Sequence, residues 1–189
     1  MKAVTSRSKK TMKHKIIFDA EDMERALTRM SYEIIEAHKG AKNLALAGIL
    51  TRGDFIAKRI QKKIAQIEGE TIPVGAMDIN LYRDDWTRIS HQPIVRPSKI
   101  SFSVDNKKII LVDDVLFTGR TIRAAIEALM DFGRPSIIEL AVLVDRGHRE
   151  LPIQADYKGV CVDTRHAETV NVSLVECDGK DSVFIEQED

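Results

Sequence analysis

The residues best suited to chemistry are two adjacent carboxylates, Asp113 and Asp114, which follow the short apolar run at 109–112. A run of that length is typical of a strand that is buried on both faces of a parallel sheet. Residues 117–121 then supply two hydroxyls and a glycine, directly before a helical pattern that begins at Ile122. Because ligands of open α/β sheets bind beyond the carboxyl ends of strands, this pattern predicts a binding loop.

The loop at 117–121 has the composition of a phosphate cradle. A helix N-terminus has unpaired N–H groups that attract anions, Gly119 allows close backbone approach, and Thr118 and Thr121 can donate hydroxyl hydrogen bonds. The two preceding acids suit the 2′- and 3′-hydroxyls of a ribose, or Mg²⁺ held partly through water. Neither a Walker A ending nor a dinucleotide-binding glycine pattern is present here. The alternative is a buried strand that ends in a capping aspartate and a threonine-rich turn.

Two further loops also follow apolar runs. Residues 43–50 predict a buried strand, after which Arg52 can pair with a pyrophosphate and Gly53 can aim backbone N–H groups at it. Taken alone, such a turn is equally typical of an ordinary protein surface. The third loop, at 145–152, follows the apolar run at 137–144 and is a candidate for base recognition.

The elements that must position these loops alternate between apolar runs and amphipathic helices, which predicts an α/β domain. Asp19 is the expected N-cap of a first helix that ends near Lys39 and Gly40, and a later helix is expected to end near Phe132. Strands that complete the sheet or its hood are expected at 71–82, 157–162, 170–175 and 183–185.

The composition argues against several classes of protein. The 189 residues include 29 basic and 29 acidic side chains, so the net charge gives no reason to expect a nucleic-acid coat or a membrane surface. Cys161 and Cys177 match no metal-binding spacing, and no apolar run is long enough to span a membrane. We therefore expect one cytoplasmic domain over residues 15–189, preceded by a disordered basic tail at 1–14.

The segment at 86–105 contains prolines among aromatic and charged side chains and fits neither a clear helix nor a core strand. Insertions of this length in a compact domain are commonly lids over a binding site, or else surface loops. We expect a hood segment at about 78–105, with Arg83, Arg88 and Lys99 as the cations that meet an anionic ligand. The alternative for each of these side chains is simple solvation.

The order of apolar run, Asp-Asp, three residues and Thr-Gly-x-Thr resembles the phosphoribosyl pyrophosphate (PRPP) motif of the type I phosphoribosyltransferases. Further motifs resemble the branch of this family that makes UMP from uracil and also attenuates pyrimidine operons. These motifs are RALTR at 25–29, GILTRG at 48–53, LYRDD at 81–85, IILVDDVLFTGRT at 109–121 and LAVLVDRGHRELP at 140–152. Together they cover nearly the whole chain after the tail.

The resemblance implies a type I phosphoribosyltransferase fold, which is a parallel sheet flanked by helices with a small hood. It implies that uracil and PRPP are converted to UMP and pyrophosphate with Mg²⁺, in a homo-oligomer that is a dimer or a tetramer. The alternatives are an RNA-binding UMP sensor with weak activity, and a phosphoribosyltransferase for another base, such as a purine or orotate.

The resemblance also assigns roles to residues. Thr51 and Arg52 match the pyrophosphate loop, and Arg52 helps pyrophosphate to leave. Asp113 and Asp114 hold the ribose, stabilise the positive charge of the transition state and bind Mg²⁺, mainly through water. The PRPP and nucleotide loop comprises Asp113, Asp114, Val115, Leu116, Phe117, Thr118, Gly119, Arg120 and Thr121.

The resemblance also places Arg146 near the nucleotide and, less directly, the backbone around Val170. Some purine-specific members of the family have an acid at the position of Phe117. For this reason we assign no general base in this chain.

The regulatory branch of the family uses its first helix to bind the leader RNA of a pyrimidine operon. Arg25, Thr28 and Arg29 match that region, whereas Tyr32 replaces an expected histidine and Ala37 an expected arginine. Losing a cation weakens a phosphate contact and leaves the enzyme chemistry unchanged. The alternative for these residues is an ordinary solvated helix face.

Overall fold

The computed structural model describes residues 13–79, 82 and 98–187. Within these residues the helices are α1 (Ala20–His38), α2 (Arg52–Glu68), α3 (Arg120–Met130) and α4 (Val175–Asp178). The strands are β1 (Lys13–Phe18), β2 (Leu44–Ile49), β3 (Val74–Met77), β4 (Lys108–Leu116), β5 (Ile137–Asp145), β6 (Tyr157–Cys161), β7 (Thr169–Ser173) and β8 (Ser182–Gln187). In this part of the chain, no helix is long and apolar enough to cross a membrane.

Strands β2 to β6 form a five-stranded sheet in the order β3-β2-β4-β5-β6, and every pair in it is parallel. Parallel neighbours need a crossover connection, and α2 and α3 supply such crossovers between sheet strands. All carboxyl ends of the five strands therefore lie along one edge. This architecture confirms the α/β fold that the alternating pattern predicts.

The sheet is buried on both faces, as its uninterrupted apolar runs indicate. Leu46 and Val112 point into a core shared with α1 and α2, which contribute Met23 and Ile60 among others. The intervening residues of the same strands face a second core built on α3. Residues of the second core include Ala45, Ala47, Ile109, Leu111, Ile122 and Ala125. This alternation between the two faces over residues 44–47 and 109–112 follows from the period of two in a strand.

The first helix begins and ends where its sequence predicts. The Asp19 carboxylate accepts a hydrogen bond from Asp22 N at 2.9 Å, and the Asp22 carboxylate accepts one from Asp19 N at 3.3 Å, which completes a capping box. Lys39 and Gly40 both have positive φ, at 56° and 111°, and end the helix.

A second sheet joins the two ends of the described chain, in the order β1-β8-β7, and all its pairs are antiparallel. Its apolar side, including Val172 and Val183, packs in the same core as Met23 of α1. Strand β1 includes Lys13 and His14, and so it begins two residues before the boundary expected at residue 15. The hood segment expected at 78–105 lies largely outside the described residues.

Three elements differ from the sequence expectations. Helix α3 ends at Met130 rather than near Phe132, because Phe132 N and Gly133 N donate to Leu129 O and Met130 O in a tighter turn. Strand β7 ends at Ser173, and Val175 instead begins the short helix α4. Strand β3 is confined to Val74–Met77, because Ile72 O accepts from the Gln61 side chain of α2 before it and Asp78 N donates to the Ser98 hydroxyl after it.

Candidate active site

Three of the predicted loops lie side by side at the carboxyl edge of the five-stranded sheet. Strand β4 has β2 on one side and β5 on the other, with Gly48 in register with Val112 and Leu116 with Asp145. The loops after β2, β4 and β5 are therefore neighbours in space, although they are far apart in sequence. The structure thus brings Arg52, the acids of β4 and Arg146 to one edge.

The two acids of β4 are held by the backbone that follows them. Asp113 is buried, and its Oδ1 accepts a hydrogen bond from Asp114 N at 3.0 Å. Asp114 Oδ1 accepts one from Val115 N at 2.8 Å. Burial raises the pKa of the Asp114 carboxyl, while its hydrogen bonds and the charge of Arg52 act in the opposite direction. A buried carboxyl of this kind gains stability when a cation or a sugar hydroxyl binds to it.

The cradle predicted at 117–121 is a turn into α3. Gly119 is the N-cap with φ 91°, a conformation that glycine adopts at low cost, and α3 begins at Arg120. A cavity of about 260 Å³ lies over this turn, lined by residues 115–122 together with Glu150. The first N–H groups of a helix have no intrahelical acceptor, so the cavity offers donors to an anion.

The loop after β2 approaches the end of β4 closely. A Cβ atom at Gly53 would lie 2.3 Å from Val112 O, and one at Gly48 would lie 2.5 Å from Asp54 Cα. Glycine is therefore required at both positions for the loop to reach this edge. The peptide bond between Leu50 and Thr51 is cis. Arg52, the first residue of α2, donates from Nη2 to Asp178 at 3.1 Å, a partner that the sequence motifs did not indicate.

The loop after β5 stacks on the PRPP loop. Arg146 is buried, and its guanidinium carbon lies 4.0 Å from the centroid of the Phe117 ring. Its Nε is buried without a hydrogen-bond partner in the described part of the chain, and burial lowers the pKa of Arg146. The rings of His148 and His166 lie 6.1 and 5.5 Å from that of Phe117. His148 belongs to the loop predicted for base recognition, whereas His166 was missed, because ring clusters of this kind have no spacing signal in the sequence.

Arg149 fastens this loop to the PRPP loop. Its Nη1 donates to the carbonyls of Phe117 at 2.9 Å and Gly147 at 3.0 Å, and its Nη2 donates to Asp145 at 2.5 Å. Burial opposes ionisation of Asp145, but its hydrogen bonds from Arg149 and the Gly147 N–H lower the pKa of its carboxyl overall. Glu150 N adds a hydrogen bond to Thr118 O at 3.0 Å. Arg149 and Asp145 lie within the loop predicted for base recognition, but their role in fastening the two loops together was not predicted from the sequence.

The remaining candidates have less direct connections with this edge. Val170 is buried in β7 and pairs with Ile185, inside the second sheet. Lys99 has an exposed side chain, and its backbone bridges to Ala76 of β3. Arg83 and Arg88 lie outside the described residues. The predicted ligand roles of Val170 and of these three cations stay predictions.

The outward face of α1 carries the residues that match the RNA-binding region. Arg25 donates to Glu21 and Asp22, both at 2.6 Å, and Arg29 donates to Glu33 at 2.7 Å. The other Nη atom of Arg29 donates to the carbonyls of Lys158 and Gly159. A shallow recess on this face is lined by Glu24, Arg25, Thr28, Arg29 and Tyr32, and Tyr32 is 55% exposed. The cations that match the motif are thus paired within the chain.

Among protein families, the phosphoribosyl transferase domain matches this chain over residues 14–177. A "Bifunctional protein PyrR" from Caldicellulosiruptor bescii is 58% identical over 177 residues, which cover 94% of this chain and 97% of that protein. A protein of the same name from Clostridioides difficile is 55% identical, covering 90% of this chain and 97% of that one.

Solved structures with the same fold include a hypoxanthine phosphoribosyltransferase of Trypanosoma cruzi. Its TM-score is 0.69 at 16% identity, with 93% of this chain and 97% of that chain covered. A hypoxanthine-guanine phosphoribosyltransferase from Bacillus anthracis has a TM-score of 0.68 at 13% identity, and the match covers 95% of this chain and 99% of that chain. At these identities the likeness shows the fold alone.

Proposed function

Since the chain belongs to the phosphoribosyltransferase family, among the bifunctional PyrR proteins, we propose that it transfers the ribose 5-phosphate of PRPP to uracil, forming UMP and pyrophosphate. The observation that carries this proposal is the meeting of three loops at one sheet edge. One loop offers N–H donors over a cavity, one offers an acid pair of which Asp113 is buried and Asp114 half-buried, and one offers a fixed arginine. Phosphate, ribose and pyrophosphate each have a matching partner there.

The cradle at 117–121 binds the 5′-phosphate. The first-turn N–H groups of α3 and the hydroxyls of Thr118 and Thr121 donate to its oxygens, and Gly119 keeps the turn free of a side chain. Because α3 is packed into the second core through Ile122, the cradle is rigid before the ligand arrives. Binding the phosphate in this way fixes the sugar relative to β4.

The acids of β4 act on the ribose. When the bond from C1 to pyrophosphate breaks, pyrophosphate keeps the bonding electrons and positive charge develops on the sugar. N1 of uracil, which releases its proton, then forms the new bond at C1. The carboxylates of Asp113 and Asp114 stabilise that charge and accept hydrogen bonds from the ribose hydroxyls. On the other side, Arg52 donates to the leaving pyrophosphate, while Thr51 contributes its backbone and hydroxyl.

The residues present also fit Mg²⁺. No group of three or more His, Cys, Asp or Glu side chains that could enclose a metal occurs among the described residues. Magnesium usually binds through one or two carboxylates plus substrate oxygens and water, and Asp113 and Asp114 provide that donor set, mainly through water. Bound Mg²⁺ would supply charge neutralisation for the pyrophosphate.

Base recognition falls to the loop after β5, at the side of the PRPP loop where Arg146 covers the Phe117 ring. The backbone near Val170 in the second sheet would complete that side. A ring-lined recess suits a planar base, and uracil is the base that we propose. We further propose that the protein acts as a homo-oligomer, a dimer or a tetramer.

The assay is UMP formation from uracil and PRPP in the presence of Mg²⁺. The double variant Asp113→Asn and Asp114→Asn should lose at least about 100-fold in kcat/KM, because it removes the charge that faces the cationic sugar. Glu127→Gln, which alters an exposed acid paired with Arg123 on α3, is the matched control and should leave turnover unchanged. Undiminished turnover in the double variant would reject the assigned roles, and a panel of bases that prefers a purine or orotate would reject uracil.

A second function is supported by the α1 face, which matches the RNA-binding region of the family and exposes Tyr32 beside Arg25 and Arg29. An aromatic ring between cations can stack an unpaired base of single-stranded RNA. We propose UMP-dependent binding of pyrimidine-operon leader RNA as this second function. Filter binding with and without UMP at fixed salt tests it, and equal affinity in both conditions would reject it.

A further inference from the structure

Two arginines of α2 pair with acids in the segment that joins β7 to β8. Arg52 donates from Nη2 to both carboxylate oxygens of Asp178, at 3.1 and 3.3 Å. Arg59 lies about two helical turns further along and donates to both Glu176 and Asp181. The two arginines lie on the same face of α2, and so residues 176–181 are fastened to that helix at two points.

The carboxylate of Asp178 is fixed by its own segment as well as by Arg52. Its Oδ2 accepts a hydrogen bond from Leu174 N at 2.9 Å, across the short helix α4. This hydrogen bond, followed by those from Arg52, lowers the pKa of Asp178, so the group is ionised at neutral pH. Arg52 therefore meets an anchor that is charged and already in place.

Arg52 also lies where α2 meets the end of β4, since a Cβ atom at the next residue, Gly53, would be 2.3 Å from Val112 O and 3.2 Å from Asp113 Cα. The Nε of Arg52 is buried and has no hydrogen-bond partner among the described residues. The guanidinium thus lies between the second sheet and the edge where the ligand binds.

We propose that Asp178 is a positioning residue, which holds the Arg52 guanidinium over the carboxyl edge of the sheet for the pyrophosphate of PRPP. The inference rests on the proposed function, because it assigns pyrophosphate to Arg52. An arginine held in advance loses less side-chain entropy when it binds a ligand than a mobile one does. The segment that joins β7 to β8 then contributes to PRPP binding without contacting the pyrophosphate.

Asp178→Asn tests the proposal. An asparagine keeps the size of the side chain and can still accept from Leu174 N, but it removes the charge that holds Arg52. We expect the Kd for PRPP with Mg²⁺ to rise about fivefold by calorimetry in the absence of uracil, with a matching rise in the KM for PRPP. The KM for uracil and kcat should stay unchanged, since neither involves the position of Arg52 in the free enzyme.

Glu176→Gln is the matched control. It weakens the attachment of the same segment to the same helix, while Arg59 keeps Asp181 and Arg52 keeps Asp178. The Kd for PRPP should be that of the wild type. In an Arg52→Gln background, Asp178→Asn should add no further change.

Three results would overturn the proposal. The Kd for PRPP of Asp178→Asn could equal that of the wild type, it could be lower than that of the wild type, or the Kd for PRPP of Glu176→Gln could rise by the same factor. A tighter Kd would mean that the carboxylate competes with pyrophosphate. Equal rises would mean that attachment of the segment matters and Arg52 does not. A wild-type protein that binds PRPP but forms no UMP would refute the proposed function alone, and one that does not bind PRPP would refute both.

Discussion

The carboxyl edge of the five-stranded sheet and the outward face of α1 both match motifs of one family, yet their polar groups have different surroundings. At the edge, the start of α3 lines a cavity beside the acid pair of β4, in which Asp113 is buried and Asp114 half-buried. On α1, Arg25 pairs with Glu21 and Asp22, and Arg29 pairs with Glu33. The first region presents groups to a ligand, and the second has already paired its charges.

The difference lies in what determines the position of each binding group. At the edge, the backbone fixes the positions of the binding groups, through the end of β4 and through Gly119 with its φ of 91°. On α1 the groups are exposed side chains, which can exchange one partner for another. A site built from backbone is therefore specified by the fold, whereas a cationic face also depends on which acids the sequence places nearby.

The strongest test of the first region is Gly119→Ala. The new Cβ would lie 3.3 Å from Ile153 and forces a positive φ on a residue that resists it, so the cradle must shift. We expect kcat/KM for PRPP to fall on the order of 100-fold, because small displacements of bound groups are costly in rate.

Gly69→Ala is the matched control for that variant. Gly69 has φ 73°, a Cβ atom added there would meet nothing within 4 Å, and the residue lies at the end of α2, outside the proposed cradle. The control should lose stability without losing affinity for PRPP. Equal kinetic losses in the two variants would mean that strain, and not the cradle, is responsible.

Arg149→Gln should lower stability by about 2 kcal/mol, because it removes the guanidinium that donates to Asp145 and to four backbone carbonyls. The pKa of Asp145 lies below its ordinary value of 3.8 in the folded protein, so the pair stabilises the fold above that pH and this contribution is lost as the pH falls below it. Urea unfolding should therefore show a smaller difference in free energy of unfolding between the wild type and Arg149→Gln at pH 3 than at pH 7. A constant difference would contradict the assignment, and Arg25→Gln on α1 should have no measurable effect at either pH.

Asp114→Asn should change thermal stability and PRPP affinity in opposite directions. Since burial raises the pKa of this carboxyl, ionisation opposes folding once the pH exceeds the ordinary value of 3.8. We expect the uncharged variant to have a Tm higher by about 2–4 °C at pH 7, and to bind PRPP more weakly. A lower Tm would show that the ionised group stabilises the unliganded fold.

The smallest expected effect concerns the α1 face. The triple variant Glu21→Gln, Asp22→Asn and Glu33→Gln frees Arg25 and Arg29 from their acids. If that face binds RNA, affinity for leader RNA should rise about threefold to tenfold at fixed salt, with a steeper salt dependence. UMP formation should not change. Unaltered RNA affinity would place the RNA contact elsewhere.

Local sequence signals predicted the elements at the edge well. The apolar runs ending at Asp113 and Asp145 are strands β4 and β5, and Asp19 caps α1 as expected. These signals work because a buried strand, a cap and a glycine turn each have a cause within a few residues. The adjacency of the three loops also followed, since parallel strands bring their carboxyl ends together.

Partners that are distant in sequence were not predictable in the same way. Nothing near Arg52 indicates Asp178, and nothing near Phe117 indicates His166. The pairing of β1 with β8 was likewise missed, because Lys13 and His14 resemble the basic tail and have no apolar period. Such contacts depend on how the whole domain packs, which a single sequence pattern does not record.

Strand β8 lies at the centre of the second sheet, between β1 and β7. During synthesis on a ribosome, β1 leaves the exit tunnel before the other described strands, and its partner β8 follows only at the end of the described residues. The five-stranded sheet can form in the interval, since it uses only β2 to β6. We therefore expect the nascent chain to acquire its phosphate cradle before Asp178 settles on Arg52, so that assembly of the second sheet is a late step of maturation.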